Sequence, residues 1–247
     1  MGQYYKFINL DKKQALTSWA FDCGAKLMEF SYIDNIKEPI TSNQFVGALC
    51  YLLNNDWAGD RVMVVGDYAS FSKEPSEDSD FRADSAEIWE EPLKELTKDI
   101  PEIGTIATED TDDFSKGYNI TMYSYASAYF EELEPDNEIF GGINTAEYEI
   151  PRYLCFPAND VFIDLLKLEP ESSGSDIEGD WNLTIMPLTL LLALGNEQGG
   201  GDYYGPNKDY VGTWALHSDS IFFSDEKPDG LTEWNPEFTE RELREGL

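Results

Sequence analysis

The chain is expected to fold as an α+β protein. Three features lead there: short apolar runs punctuated by turn residues, an apolar stripe at three-and-four spacing over 45–53, and an aromatic content of 14% within 41% hydrophobic residues. That composition supplies a packed interior for a chain of 247 residues despite its charge.

Tyr4 to Asn9 reads as a strand, Leu10-Asp11-Lys12-Lys13 as a polar turn, and Ala15 to Trp19 as the return strand of a hairpin. Thr41 or Ser42 is placed to cap a helix on which Phe45, Leu49 and Leu52, flanked by Val46 and Leu53, share one face before Asn54-Asn55. Arg61 to Val65 is a buried strand stopped at Gly66-Asp67. Ser72 to Asp84, with Pro75 and five acids, reads as an exposed connector, and Asp84 with Glu87 as a capping box. Over Tyr118 to Leu133 the spacing of Met122, Ala126, Tyr129 and Leu133 favours a helix from Ser124.

In the last segment Tyr153 to Phe156, a turn at Pro157-Ala158-Asn159-Asp160 and Val161 to Leu165 repeat the first hairpin at an offset of 147 residues, placing Leu16 against Ile163. A strand at Trp181 to Ile185, a helix opened by Pro187 and running through Leu194, and a strand around Ser220 to Phe223 follow. Trp57, Asp60 and Val62 match Trp214, Asp219 and Ile221, so the expectation is a duplicated hairpin, helix and strand unit. This divides the chain into an N-terminal unit (1–70), an acidic connector with helices (71–150) and a C-terminal unit (151–247) within one compact domain.

Forty-nine acids against 17 bases give a formal charge of −32. It is unevenly spread: 1–70 carries 8 acids and 6 bases, 71–150 carries 22 and 5, and 151–247 carries 19 and 6. A polyanion of this size repels the phosphates that supply most nonspecific nucleic-acid affinity, and repels anionic lipid headgroups. No run approaches the roughly 20 apolar residues of a membrane span. The N-terminus carries no secretory pattern, Lys6 occupies the position where a myristoylation motif needs Ser or Thr, and three scattered cysteines make no disulfide framework. A cytoplasmic protein is expected.

Gly2-Gln3-Tyr4-Tyr5-Lys6 with Asn9 to Lys13, Gly24 to Glu29, Gly59-Asp60-Arg61 with Gly66-Asp67-Tyr68, the run 195–203 and Val211 to Trp214 resemble a set of uncharacterised bacterial and phage-type proteins. The resemblance implies one fold family spanning both ends and no particular chemistry.

Local chemistry gives little. His217 is the one histidine that could serve Cys23, Cys50 or Cys155 as a base; Cys50 and Cys155 fall in apolar runs, leaving Cys23 with His217 as a weak candidate pair. No Cys or His spacing suits zinc, and Glu109, Asp110, Asp112 and Asp113 lie outside any calcium-loop pattern. Gly199-Gly200-Gly201 is flanked by Glu197 and Asp202 rather than by a phosphate-binding lysine. No cofactor is implied.

What remains is charge. Glu74, Glu77, Asp78, Asp80 and Asp84, then Glu131, Glu132, Glu134, Asp136 and Glu138, space carboxylates as a duplex spaces phosphates. The expected function is a non-enzymatic acidic inhibitor occupying the basic surface of a nuclease, toxin or other nucleic-acid-binding protein, as a DNA-mimic anti-defence protein or an immunity protein does. The alternatives are a cytosolic hydrolase using carboxylates or Cys23 with His217, and a globular protein whose charge serves solubility.

Overall fold

The computed structural model describes residues 3–33, 36–67, 122–168, 171–172, 182–194, 211–215 and 218–234. Both helices and sheets are present, so the fold is α+β.

Strand β1 (Tyr5–Asn9) is buried at every residue because it lies mid-sheet with a layer on each face. It pairs antiparallel with β2 (Gln14–Leu16) on one side and with β4 (Val62–Gly66) on the other; β3 (Tyr32–Ile33) belongs to another sheet. Strand β5 (Glu131–Leu133) adds parallel to β2, and β10 (Ala193–Leu194) parallel to β4. Strand alternation gives the two faces different work. Tyr5, Phe7, Leu16, Val62 and Val64 join the main hydrophobic core, whereas Lys6 contacts helix α3 (Met122–Tyr129), whose Ala126 is fully buried.

A second sheet has the order β11-β6-β7-β12, built from β6 (Tyr153–Phe156), β7 (Val161–Asp164), β11 (Phe222–Ser224) and β12 (Thr232–Glu233). Its pairing copies that of the first. Phe7↔Leu16, Ile8↔Ala15 and Asn9↔Gln14 become Leu154↔Ile163, Cys155↔Phe162 and Phe156↔Val161, each shifted by 147. The turn residues with left-handed backbone, Lys13 and Asp160, keep the same shift and the same φ of 56°. In each sheet a further strand joins the first hairpin strand antiparallel, β4 or β11, and another joins the second parallel, β5 or β12. A small third sheet sets β3 against β9 (Asn182–Ile185), which also pairs β8 (Glu171–Ser172).

Helix α2 (Gln44–Asn54) carries apolar residues nearly all round and is correspondingly buried from Phe45 to Cys50 and at Leu52 and Leu53. One core cluster joins it to Phe7 and Val64 of the first sheet and to Leu154, Phe156 and Phe223 of the second. Gly47 has a specific reason: a Cβ there would lie 2.0 Å from the carbonyl oxygen of Thr145. The helix cap is Asn43 rather than Thr41 or Ser42; its Oδ1 accepts from Val46 N–H at 2.9 Å, while the Ser42 hydroxyl donates to the Tyr32 carbonyl.

Several elements are shorter than their sequence patterns. The strand expected to reach Trp19 stops at Leu16 and turns into a 3-10 helix, Ser18–Phe21, and the helix from Pro187, α4 (Pro187–Leu191), ends before β10. Helix α3 starts at Met122 and ends at Tyr129; Glu131 to Leu133 is a strand because pairing with β2 outweighs the helical spacing of Leu133. The connector at 72–84, the Asp84–Glu87 capping box and the glycine run at 199–201 lie outside the described residues.

Candidate functional site

The acids at 131–138 sit on a scaffold fixed at both ends. Leu133 is buried in the core, and so is Phe140, whose ring lies 6.0 Å from that of Phe21 and 6.1 Å from that of Tyr51. Between these anchors the chain makes a turn, the Asn137 N–H donating to the Glu134 carbonyl at 2.9 Å. Asn137 then caps a short 3-10 helix, Glu138–Phe140, by accepting from the Ile139 N–H at 3.1 Å. Glu134, Asp136 and Glu138 are exposed, and none forms an ion pair among the described residues. From 117 to 151 the chain has seven acids and no Lys or Arg, so no local cation offsets them.

The other two acids behave differently. Glu131 accepts from Gln14 Nε2 at 3.0 Å, and Gln14 Oε1 accepts in turn from the indole N–H of Trp57 at 2.8 Å. Glu132 meets Lys6, a lysine only 2% exposed in the middle of β1. Lys6 Nζ donates to Glu132 Oε1 at 2.8 Å and to Ser127 Oγ at 2.7 Å, and lies 4.5 Å from the centre of the Tyr123 ring. Thr17 Oγ1 also donates to Glu132 Oε1, at 3.1 Å. The Lys6 hydrogen bond holds the Glu132 carboxyl below its ordinary range, outweighing the upward push of partial burial. Burial, followed by the negative charges of Asp67 and Glu132, pushes the Tyr123 hydroxyl up. Glu132 is therefore a structural counter-ion, and its charge is already compensated.

No family model, curated protein or solved structure matches the chain. Function has to be argued from its own geometry.

The N-terminal motifs quoted above do meet in space. Asn9 Nδ2 donates to Asp60 at 2.8 Å, Lys12 pairs with Asp60 at 3.0 Å, and Arg61 pairs with Asp11 at one end of the sheet. Partial burial pushes the Asp11 carboxyl up, but the hydrogen bonds and charge of Arg61 bring it below its ordinary value. At the other end Tyr4 and Asp67 exchange hydrogen bonds, Tyr4 N–H to Asp67 Oδ1 at 3.0 Å and Asp67 N–H to the Tyr4 carbonyl at 2.9 Å. The Tyr5 N–H donates to the Ala25 carbonyl at 2.8 Å. These motif residues clasp β1 to β4 and to the segment before α1 (Leu27–Phe30).

Cys23, the candidate nucleophile, is buried rather than exposed: the 3-10 turn closes through a Cys23 N–H bond to the Ser18 carbonyl at 3.1 Å and leaves its side chain in the core cluster. Cys50 and Cys155 are fully buried. Burial raises the Cys50 thiol well above its usual value and pushes that of Cys155 up to about 12. None of the three has the exposed, electropositive setting of a reactive thiol. His217 lies outside the described residues, as do Glu74, Glu77, Asp78, Asp80 and Asp84. Among the described residues no three His, Cys, Asp or Glu side chains gather as metal ligands, and no helix is long and apolar enough to cross a membrane.

Sequence reasoning passed over Lys6 as a functional marker. A lysine within an otherwise apolar strand demands a counter-charge within reach, and that demand was readable from Tyr5-Lys6-Phe7-Ile8 alone.

Proposed function

We propose that the protein is a non-enzymatic acidic inhibitor that occupies the basic, nucleic-acid-binding surface of a partner protein, in the manner of a DNA-mimic anti-defence protein or an immunity protein. The observation that supports this reading is the loop 134–138, where three exposed carboxylates, without cationic partners among the described residues, are held between the buried anchors Leu133 and Phe140. Holding carboxylates in place matters because a charge ordered before encounter loses less conformational freedom on binding. The formal charge of −32 adds a long-range field that steers basic surfaces toward the chain. The partner class is a nuclease, toxin or other protein with a phosphate-binding cleft, acting in the cytoplasm.

Capture from a host lysate identifies the partner, and binding kinetics across salt concentrations test the mechanism. Glu134→Gln, Asp136→Asn and Glu138→Gln together should slow association more than they speed dissociation, because steering acts on the encounter. Association should also slow as the Debye length falls from about 10 Å at 0.1 M salt to about 3 Å at 1 M. An association rate indifferent to both changes would reduce the charge to a solubility feature.

A further inference from the structure

We infer that the acidic surface is selective for arginine, through an exposed aromatic pair beside the acids; this rests on the reading just proposed. The pair is Tyr4 and Trp19, 37% and 55% exposed, with ring centres 5.3 Å apart and planes tilted by 57°. Trp19 is the most exposed large hydrophobic side chain among the described residues, and it stands on the 3-10 helix Ser18–Phe21. Its neighbour Phe21 is fully buried and touches Phe45 and Phe140.

The topology brings this pair to the acids. Strand β5 runs parallel to β2 in the register Leu16↔Leu133, so the two chains leave the sheet in one direction. One continues into the turn that carries Trp19 and the other into Glu134 to Glu138. The Phe21–Phe140 contact ties the two exits together, because Phe140 closes the acidic loop and Phe21 closes the tryptophan turn. Tyr4 precedes β1 at this same end, where its backbone is bonded to Asp67. Asp22 is exposed, and its N–H donates to the Trp19 carbonyl at 3.3 Å. Lys6 is buried and paired with Glu132, so it offers little repulsion to an incoming base.

Exposed aromatic rings at the same sheet end as carboxylates fit a guanidinium better than an ammonium. Arginine stacks flat on an indole or phenol ring and still reaches a carboxylate with two N–H groups, whereas the compact lysine head stays hydrated. The occupant is therefore an arginine-bearing segment of the basic partner, the side chains that protein would otherwise place on phosphates.

Oligo-arginine and oligo-lysine peptides of equal length, titrated into the full chain at fixed salt, provide the test. Oligo-arginine should bind about two- to fivefold more tightly for each stacked residue. Trp19→Ala should erase that preference while leaving oligo-lysine affinity unchanged, and Trp19→Phe should retain part of it; far-UV circular dichroism confirms that each variant is folded. Equal affinity of the wild-type chain for the two peptides, with both weakened by the triple neutralisation at 134, 136 and 138, would overturn arginine selectivity and leave the acidic-surface reading standing. Failure of both peptides to bind, or binding that ignores the triple neutralisation, would overturn both.

Discussion

The side-chain amide of Asn54 pairs with Phe223 as a neighbouring strand would, donating to its carbonyl at 3.0 Å and accepting from its N–H at 2.7 Å. Phe223 lies on the free edge of β11, where alternation in the antiparallel pair with β6 points its backbone groups away from the sheet. The last residue of α2 thus closes a sheet edge that belongs to the opposite end of the chain.

Asn54→Ala removes both bonds and leaves two part-buried backbone groups without partners, at a cost of about 1–3 kcal/mol. Asn54→Asp keeps the acceptor and loses the donor, so it should fall between Ala and wild type. Urea denaturation at neutral pH measures both.

Substituting Lys6 and Glu132 separately should give unequal results. Glu132→Gln leaves a buried ammonium without its counter-ion, whereas Lys6→Met removes the charge that needs one and fills a similar volume. Glu132→Gln should therefore lower the thermal midpoint more than Lys6→Met. The pair also carries a pH signature. Since the folded Glu132 carboxyl titrates below its ordinary value, its contribution is complete above the unfolded value near 4.3 and disappears as pH falls through the folded one. In Lys6→Met that part of the acid sensitivity should be absent, which denaturant melts between pH 3 and pH 6 will show.

Gly47→Ala pits two effects against each other. Alanine favours a helix interior by about 1 kcal/mol over glycine. The added methyl, however, would stand 2.0 Å from the Thr145 carbonyl, a backbone atom that cannot swing aside. Overpacking costs about 1–3 kcal/mol, so the net change should be destabilising, with the Thr145–Glu147 turn displaced. A stabilised variant in a chemical melt would contradict the packing described.

Thiol labelling reads the core directly. Cys23, Cys50 and Cys155 are all buried, and the last two have raised thiols. Under native conditions an Ellman-type reagent at pH 8 should label all three slowly, and in denaturant at once. Rapid native labelling of Cys23, identified by its loss in Cys23→Ala, would place Cys23 back among the reactive candidates.

Much of the fold was legible because it is local. The hairpin Tyr5–Leu16, the α2 stripe and strand β4 follow from periodicity and turn residues within a few positions, and so does the hairpin at 153–164. What escaped depends on partners far away in sequence. Nothing in Glu131-Glu132-Leu133 announces a strand until β2 lies alongside, and nothing around Cys23 announces burial until the turn at Ser18 folds back. The acids at 131–138 were visible as a run, but only the structure separates Glu132, tied to Lys6, from Glu134, Asp136 and Glu138, which face outward.

The parallel pairing of β2 with β5 also orders events in time. The β1–β2 hairpin closes over four turn residues, whereas Gln14 must find Glu131 across a separation of 117. Closing so long a loop is entropically expensive, so the hairpin can exist well before its parallel neighbour arrives. The carboxylates of 134–138 are hung from that late-arriving strand. A partly unfolded chain would therefore carry the full negative charge without the fixed arrangement of these groups. The proposed recognition, if it depends on the arrangement rather than on charge alone, would begin only when the molecule has finished folding.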